Sequence, residues 1–433
     1  MSAAQDANGD PIEGEEAFGL LDEGLGRRDL LRAAGLLGAG AAMPAWLGSP
    51  GVAAAAAAHG REPPVLQPGT DAGGRYVVAK RENVMWGYLP NRDTAPVLTV
   101  PSGARVTIDT VSHEGILEDQ GRDPLAYFAG HGIPARKVLD DARAIAGSDL
   151  EHDFDDDGPH VVVGPVAVSG AAPGDVLRID VVGLVPRAPY GVISNRHGKG
   201  ALPGEFPETP PSEPGADAAH PELFHNVSTF TPVRRIDGDY KAVLPVSRRY
   251  RAEFPIDPFM GIMGVALDTS ERVNSIPPTM AGGNIDIRDL TVGSRLYLPV
   301  FVPGAKFFVG DPHYAQGDGE VALTALEAPL RATFRLTLLK RGSGAIPGNR
   351  GTLPLPFGET ADYWLPVGLN ADLDEAMKQA VRESIAFLSG EFGMPRSVAY
   401  SYLSAATDYV VSQVVDKTKG VHARIAKEHL VRR

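Results

Sequence analysis

The chain has 433 residues, 43% of them hydrophobic, with 50 Gly, 37 Pro and no Cys. That is more than one small core can use, and it suggests two or three β-rich lobes. A formal charge of −13 with no basic run argues against a nucleic-acid partner, and the lack of cysteine excludes disulfides, thiolate metal sites and cysteine nucleophiles.

The first element is a targeting segment. Gly26-Arg27-Arg28-Asp29-Leu30-Leu31-Arg32 precedes a weakly apolar stretch rich in Ala and Gly, and a run of alanines follows. This pattern is that of a twin-arginine export signal, placing the mature protein in the periplasm or outside the cell. Cleavage is expected among Ala53 to Ala58. Pro44 and the glycines make the stretch a poor spanning helix, so no stable membrane span is expected in the mature chain.

Further elements follow in order. Residues 59–202 read as an N-terminal β-rich lobe: Arg105 to Asp109 alternates as a half-buried strand does, Pro134 to Ala146 has helical spacing, and 160–185 reads as two strands joined by a Gly-Pro turn. Residues 203–238 open as a Pro- and Glu-rich loop or linker. Residues 239–357 form a second β-rich lobe. Residues 358–433 carry apolar positions at helical spacing, broken at Gly393-Met394-Pro395, and read as mainly helical. The fold class is α+β with sheets dominating.

The chemistry concentrates in VGDPHYAQGDGEVALTALE, residues 309–327. Residues two apart in a strand share a face, so Asp311 pairs with His313 and Asp318 with Glu320 if 314–317 is the reversal, with Gly317 supplying positive φ. Such a hairpin can gather imidazole and carboxylates around a divalent metal. A solvated turn whose acids cap backbone amides remains the alternative. A second stretch, SIPPTMAGGNIDIRDL, places Gly282, Gly283 and Asn284 before Asp286, offering oxygen donors beside a close backbone approach. The acidic run Asp153 to Asp157 imitates a calcium loop, but Gly164 stands where the closing acid belongs. A solvated loop is the simpler reading, with a structural calcium as its alternative.

GGNIDIRDL, GSRLYLPVFVPGAKFFVGDPHYAQGDGEV, HVVVGPVAVSGAAPGDVLRIDV and the C-terminal AYSYLSAATDYVVSQVVD resemble the acetamidase/formamidase family from about Pro96 onward. The resemblance implies a multi-lobed β-sandwich or barrel core with C-terminal helices. It also implies hydrolysis of short linear amides to carboxylate and ammonia, homo-oligomers, and metal in the cleft. Where this chain has Ser112-His113-Glu114 the family often carries an acid, which makes His113 a third ligand beside His313 and Asp286. His160 is read as a pocket wall. No GxSxG elbow is present, so activated water remains, with zinc as the expected ion. Glu320 is assigned as general base and acid, with Asp318 orienting ligands; the alternative makes Glu320 a ligand and Asp318 the base. Asp311 orients ligands from behind, while Asn284 and Gln316 bond the substrate amide. The competing reading is an exported binder of small polar ligands, or a hydrolase of another C–N or C–O bond.

Overall fold

The computed structural model describes residues 61–70, 72–208 and 226–432. The expected signal segment lies outside the described residues, as does most of the Pro-rich stretch after 203. The described residues all fall within the unit Ser49–Arg433. Among them no helix is long and apolar enough to cross a membrane.

The architecture is β-dominated α+β, as the sequence implied. One nine-stranded sheet has the order Tyr76–Val77, Ala104–Asp109, Leu330–Leu339, Val176–Pro186, Arg295–Pro299, Phe357–Glu359, Tyr363–Asn370, Lys419–Ala426, Thr407–Gln413. The second sheet carries the chemistry. Its main path runs Arg251–Pro255, Asp239–Pro245, Asn226–Ile236, Tyr190–Arg196, Leu326–Glu327, Phe307–Ala315, Phe259–Val265, Gly282–Asn284. Val161–Val168 joins beside the first half of Phe307–Ala315. Apolar side chains of both sheets, among them Ile108, Ile179 and Phe334 with Val163, Met263 and Phe307, share one core. Each sheet draws strands from across the chain, so the sequential segments expected to be lobes do not each close a sheet of their own.

Several local expectations need correction. Gly164-Pro165 lies inside the strand Val161–Val168, and the reversal falls at 169–175 instead. The helix expected over Pro134 to Ala146 is a 3-10 turn, Ala135–Lys137, and then a helix Asp140–Ala146, because Val138 and Leu139 are extended between them. The C-terminal segment is half strand. Helix Leu373–Phe392 is capped by Asp372, whose side chain accepts from the Glu375 N–H, and ends at left-handed Gly393. Helix Arg396–Ala406 then gives way to the strand Thr407–Gln413, where Thr407, Tyr409, Val410 and Val411 favour the pleated sheet over a helix. The long helix lies against the sheet so closely that a Cβ at Gly368 would stand 2.1 Å from the Ala376 carbonyl oxygen.

Candidate active site

The central strand Phe307–Ala315 sets the geometry. Pairing aligns His313 with Phe259 on one side and with Glu327 on the other, so Glu327 enters the site from the two-residue strand Leu326–Glu327. Asp286 follows the strand Gly282–Asn284, and its N–H reaches the Gly261 carbonyl. His113 leaves the end of Ala104–Asp109, and His160 immediately precedes Val161–Val168. Glu320 belongs to the connection after Ala315. That connection is held against the last hairpin, where Gly319 N–H donates to the Ser412 carbonyl and Val414 N–H to the Gly319 carbonyl.

The reversal is longer than the sequence suggested. It spans 316–325, GDGE starts no strand, and the positive φ values belong to Gly319, Glu320 and Leu323 while Gly317 has none. Three acids of the site sit in left-handed backbone: Asp286 at φ 46, Asp311 at φ 52 and Glu320 at φ 47. Such conformations cost a non-glycine residue about 1–3 kcal/mol and persist only where the surroundings enforce them. Here they turn three carboxylates toward one point.

Buried ligand-type atoms form three overlapping groups: His113 with His160 and Asp311, Asp311 with His313 and Glu327, and Asp286 with His313 and Glu320. Asp311 is the hinge of the arrangement. One oxygen lies 3.5 Å from His113 Nδ1 and 3.7 Å from His160 Nε2, while the other is 3.0 Å from His313 Nε2. His313 Nε2 also lies 3.1 Å from Glu327 Oε1. One imidazole nitrogen has a single proton or a single lone pair, and it cannot satisfy two carboxylates at once. Both ring nitrogens of His113 and of His313 lack a properly directed hydrogen-bond partner, as do both oxygens of Asp286, one of Asp311 and one of Glu320. Groups this close but misaligned for mutual hydrogen bonds are arranged around a shared centre.

Gly261 explains how that centre stays open. A Cβ there would lie 2.5 Å from Asp286 Oδ1, 2.6 Å from Asp311 Oδ2 and 2.8 Å from His313 Cε1. The space above Gly261 therefore belongs to the site, and any side chain would fill it. Histidine nitrogens mixed with carboxylate oxygens are a donor set suited to a zinc-type divalent cation. The residues present fit such an ion.

Electrostatics agree with the geometry. Burial lifts the Asp286 carboxyl to about 7, with neighbouring acids adding to the effect and His313 opposing it. Burial, then the Asp286 charge, pushes Glu320 well above the ordinary carboxylate range. Asp416, in the last hairpin, is raised by burial and by Asp286 and Glu320. Burial disfavours the charged form of His113, yet Asp311 and Glu114 outweigh it and carry the ring to about 10. Burial takes His160 down to about 4. A local excess of buried negative charge is what a bound cation would offset.

The other expected residues fall as follows. Asn284 Oδ1 is buried and unpartnered, and Asn284 lines a cavity of about 420 Å³ together with His113, His160, Asp311, Glu320 and Glu327. Gln316, expected to bond substrate, instead braces the scaffold, its amide donating to the carbonyls of Asp286 and Ser412. Asp318, expected to act beside Glu320, stands outside the cluster: its carboxylate pairs with Arg424 at 3.1 Å, because the turn at Gly319 sends the two acids to different sides. Asp318 lines a separate cavity of about 430 Å³, which shares Glu320 as a wall. His160 and Asp311, read as a wall and a supporting group, belong to the ligand-type groups themselves.

Three participants escaped the sequence reading. Glu327 is the lone charge in the apolar run ALTALEAPL, a signal of a buried acid that needs a partner. Gly261 interrupts the buried strand FMGIMGV, where a glycine marks close approach. Asp416 had no local signal. A Ser–His–Asp arrangement also exists: Ser412 Oγ is 2.7 Å from His422 Nδ1, and His422 Nε2 is 3.0 Å from Asp289. Ser412 is buried and lines neither cavity, so this chain of bonds fastens the last hairpin and offers no nucleophile to a substrate.

Residues 260–425, which include Asp286, Asp311, His313, Glu320, Glu327 and Asp416, match the Acetamidase/Formamidase family. The formamidase of Methylophilus methylotrophus is 29% identical over 300 residues, covering 59% of this chain and 73% of that protein. The acetamidase of Mycolicibacterium smegmatis is 28% identical over 198 residues, covering 37% and 49%. A Schizosaccharomyces pombe relative whose name carries the word formamidase is 31% identical over 217 residues, covering 42% and 52%. The chain thus spans about half the length of the last two relatives. The crystal structure of an acetamidase from Yersinia enterocolitica superposes with a TM-score of 0.61 at 25% identity, over 84% of this chain and 95% of that one.

Proposed function

We infer that this chain is an amidase of the acetamidase/formamidase family, hydrolysing linear primary amides to a carboxylate and ammonia. One observation carries the reading. A buried set of imidazoles and carboxylates borders a cavity around space that Gly261 keeps open, and Asp286, Asp311, His313, Glu320 and Glu327 of that set lie within the segment the family match covers.

Asp286, Asp311, His313 and Glu327 would hold a divalent cation, zinc by the chemistry of the donors, with His113 and His160 on the outer side of Asp311. When bound, such an ion polarises the amide carbonyl and makes water acidic enough to attack near neutral pH. The remaining chemistry belongs to the side chains. Glu320, in its carboxylate form, takes a proton from the attacking water as the new C–O bond forms. It returns that proton to the amide nitrogen as the C–N bond breaks, so that ammonia leaves and the acyl group departs as a carboxylic acid, which ionises to the carboxylate by giving up the second water proton. Its raised affinity for protons suits both halves of that exchange. Asn284 Oδ1 accepts from the amide N–H₂ group and fixes which face of the carbonyl meets the water.

The same reading includes export through the paired-arginine segment and assembly into homo-oligomers. Fractionation of cells expressing the full chain, followed by sedimentation of the purified protein, tests both. Ammonia release over a panel of short amides, with metal analysis of the same preparation, tests the activity. Turnover by a metal-loaded protein is expected, and a metal-loaded protein that releases no ammonia from any amide would contradict it.

A further inference from the structure

The 420 Å³ cavity lies within the roughly 300–1,000 Å³ of pockets that enclose ligands of drug size. That is far more than the few atoms of formamide or acetamide require. Its composition is also graded. Asp311, Glu320, Glu327 and Asp416 contribute to it where the cluster lies, and Leu117, Phe154, Ile276, Leu323, Val414 and Val415 provide apolar wall. Lys199 and Lys417 line the same cavity and are exposed, so they stand toward solvent.

The two lysines act on one another. Protein packed around the Lys199 side chain lowers its proton affinity even though the residue reaches solvent, and the charges of Arg196 and Lys417 lower it further, while Asp119 and Asp155 oppose them. Arg196 is already committed, its guanidinium bonding Asp119 and Glu114. A third lysine at the cavity, Lys419, donates to the Ala371 carbonyl. Of the acids nearby, Asp157 is paired with Arg272, and Asp155 and Asp156, both exposed, are the countercharges on the same cavity. The side-chain ammonium groups of Lys199 and Lys417 have no hydrogen-bond or ion-pair partner among the described residues.

We propose that the substrate this cavity selects is a primary amide on an apolar chain whose far end is a carboxylate, held at the mouth by Lys199 and Lys417. The proposal rests on the amidase reading for what happens at the floor. Charge fixes the orientation: an anionic end is repelled by the carboxylates around the cluster and attracted by the lysines. The amide end is thereby delivered to Glu320 and Asn284, and the chain between lies along the leucine, isoleucine and valine wall.

The test compares acetamide, hexanamide and the monoamides succinamate, adipamate and suberamate with the metal-loaded full chain, by kcat/KM for ammonia release and by calorimetric Kd. At least one ω-carboxylate amide is expected to exceed hexanamide by about tenfold in both, and hexanamide to exceed acetamide. The double variant Lys199→Met/Lys417→Met keeps most of the length of the side chains and removes their charge. It should lose about tenfold more for the best ω-carboxylate amide than for hexanamide. Preference for acetamide, or equal losses for the charged and neutral amides, would overturn the proposal. If no amide is hydrolysed, the amidase reading fails, and the calorimetric comparison still decides whether the lysines bind the carboxylate.

Discussion

Replacing Gly261 with alanine inserts one methyl group beneath the cluster. Real Cβ atoms keep at least 3.0 Å from such neighbours, and this one would stand 2.5 Å from Asp286 Oδ1 and 2.6 Å from Asp311 Oδ2. Asp286 must therefore withdraw by at least 0.5 Å (3.0 less 2.5) and Asp311 by 0.4 Å (3.0 less 2.6). The strand geometry of Gly261 itself tolerates alanine, since its φ is not positive. Overpacking of this kind costs about 1–3 kcal/mol, and relief of glycine's conformational entropy returns about 0.5–1 kcal/mol. The fold should survive. The site should not, because metal–ligand distances tolerate only about 0.2 Å of error. Elemental analysis after dialysis, thermal unfolding with and without added zinc, and ammonia release form the assay. The expected result is a folded variant whose metal affinity falls by at least about tenfold and whose activity falls with it. A variant that keeps wild-type metal content and turnover would refute the claim that the space above Gly261 is part of the site.

Other outcomes follow from the same geometry. Glu320→Gln should retain metal and fold while kcat drops by about 10²–10⁴, checked by steady-state kinetics beside elemental analysis. Asp318→Asn should leave kcat/KM within about twofold and change stability by less than about 1 kcal/mol, because a partly exposed ion pair with Arg424 is all it removes. Asp289 lies partly buried; burial raises its carboxyl, but His422 and Arg424 outweigh that and hold it at about 2. Its folded value is depressed, so its contribution to stability is present above the ordinary value of 3.8 and is lost as pH falls toward 2. Asp289→Asn should flatten that part of the stability–pH curve in chemical denaturation. Steeper acid loss in the variant would contradict the assignment.

The legible part of this molecule was chemical, and the illegible part was topological. His313 and Asp311 stand out in sequence because charged groups two apart in an apolar strand share a face, and Asp286 because glycines precede it. Glu320 was found for a partly mistaken reason. The sequence suggested a tight hairpin, whereas a ten-residue connection from 316 to 325 carries Glu320 inward and leaves Asp318 outside. A left-handed residue such as Glu320 reverses the direction alternation predicts, and no residue type announces that. Asp416 was hidden in a segment with helical spacing, where β-branched residues and pairing with Lys419–Ala426 decide in favour of strand. Glu327 and Gly261 each carried a local signal, but their meaning depends on the neighbour strands that bring them to His313.

The central claim is that the acids around Asp311 and His313 converge on a cation. Crystals of the purified protein, with diffraction recorded on both sides of the zinc absorption edge, test it most directly. The account predicts an anomalous peak within bonding distance of His313 and at least two of Asp286, Asp311 and Glu327. An active preparation whose crystals show no such peak, with those carboxyls paired to one another through shared protons, would contradict it.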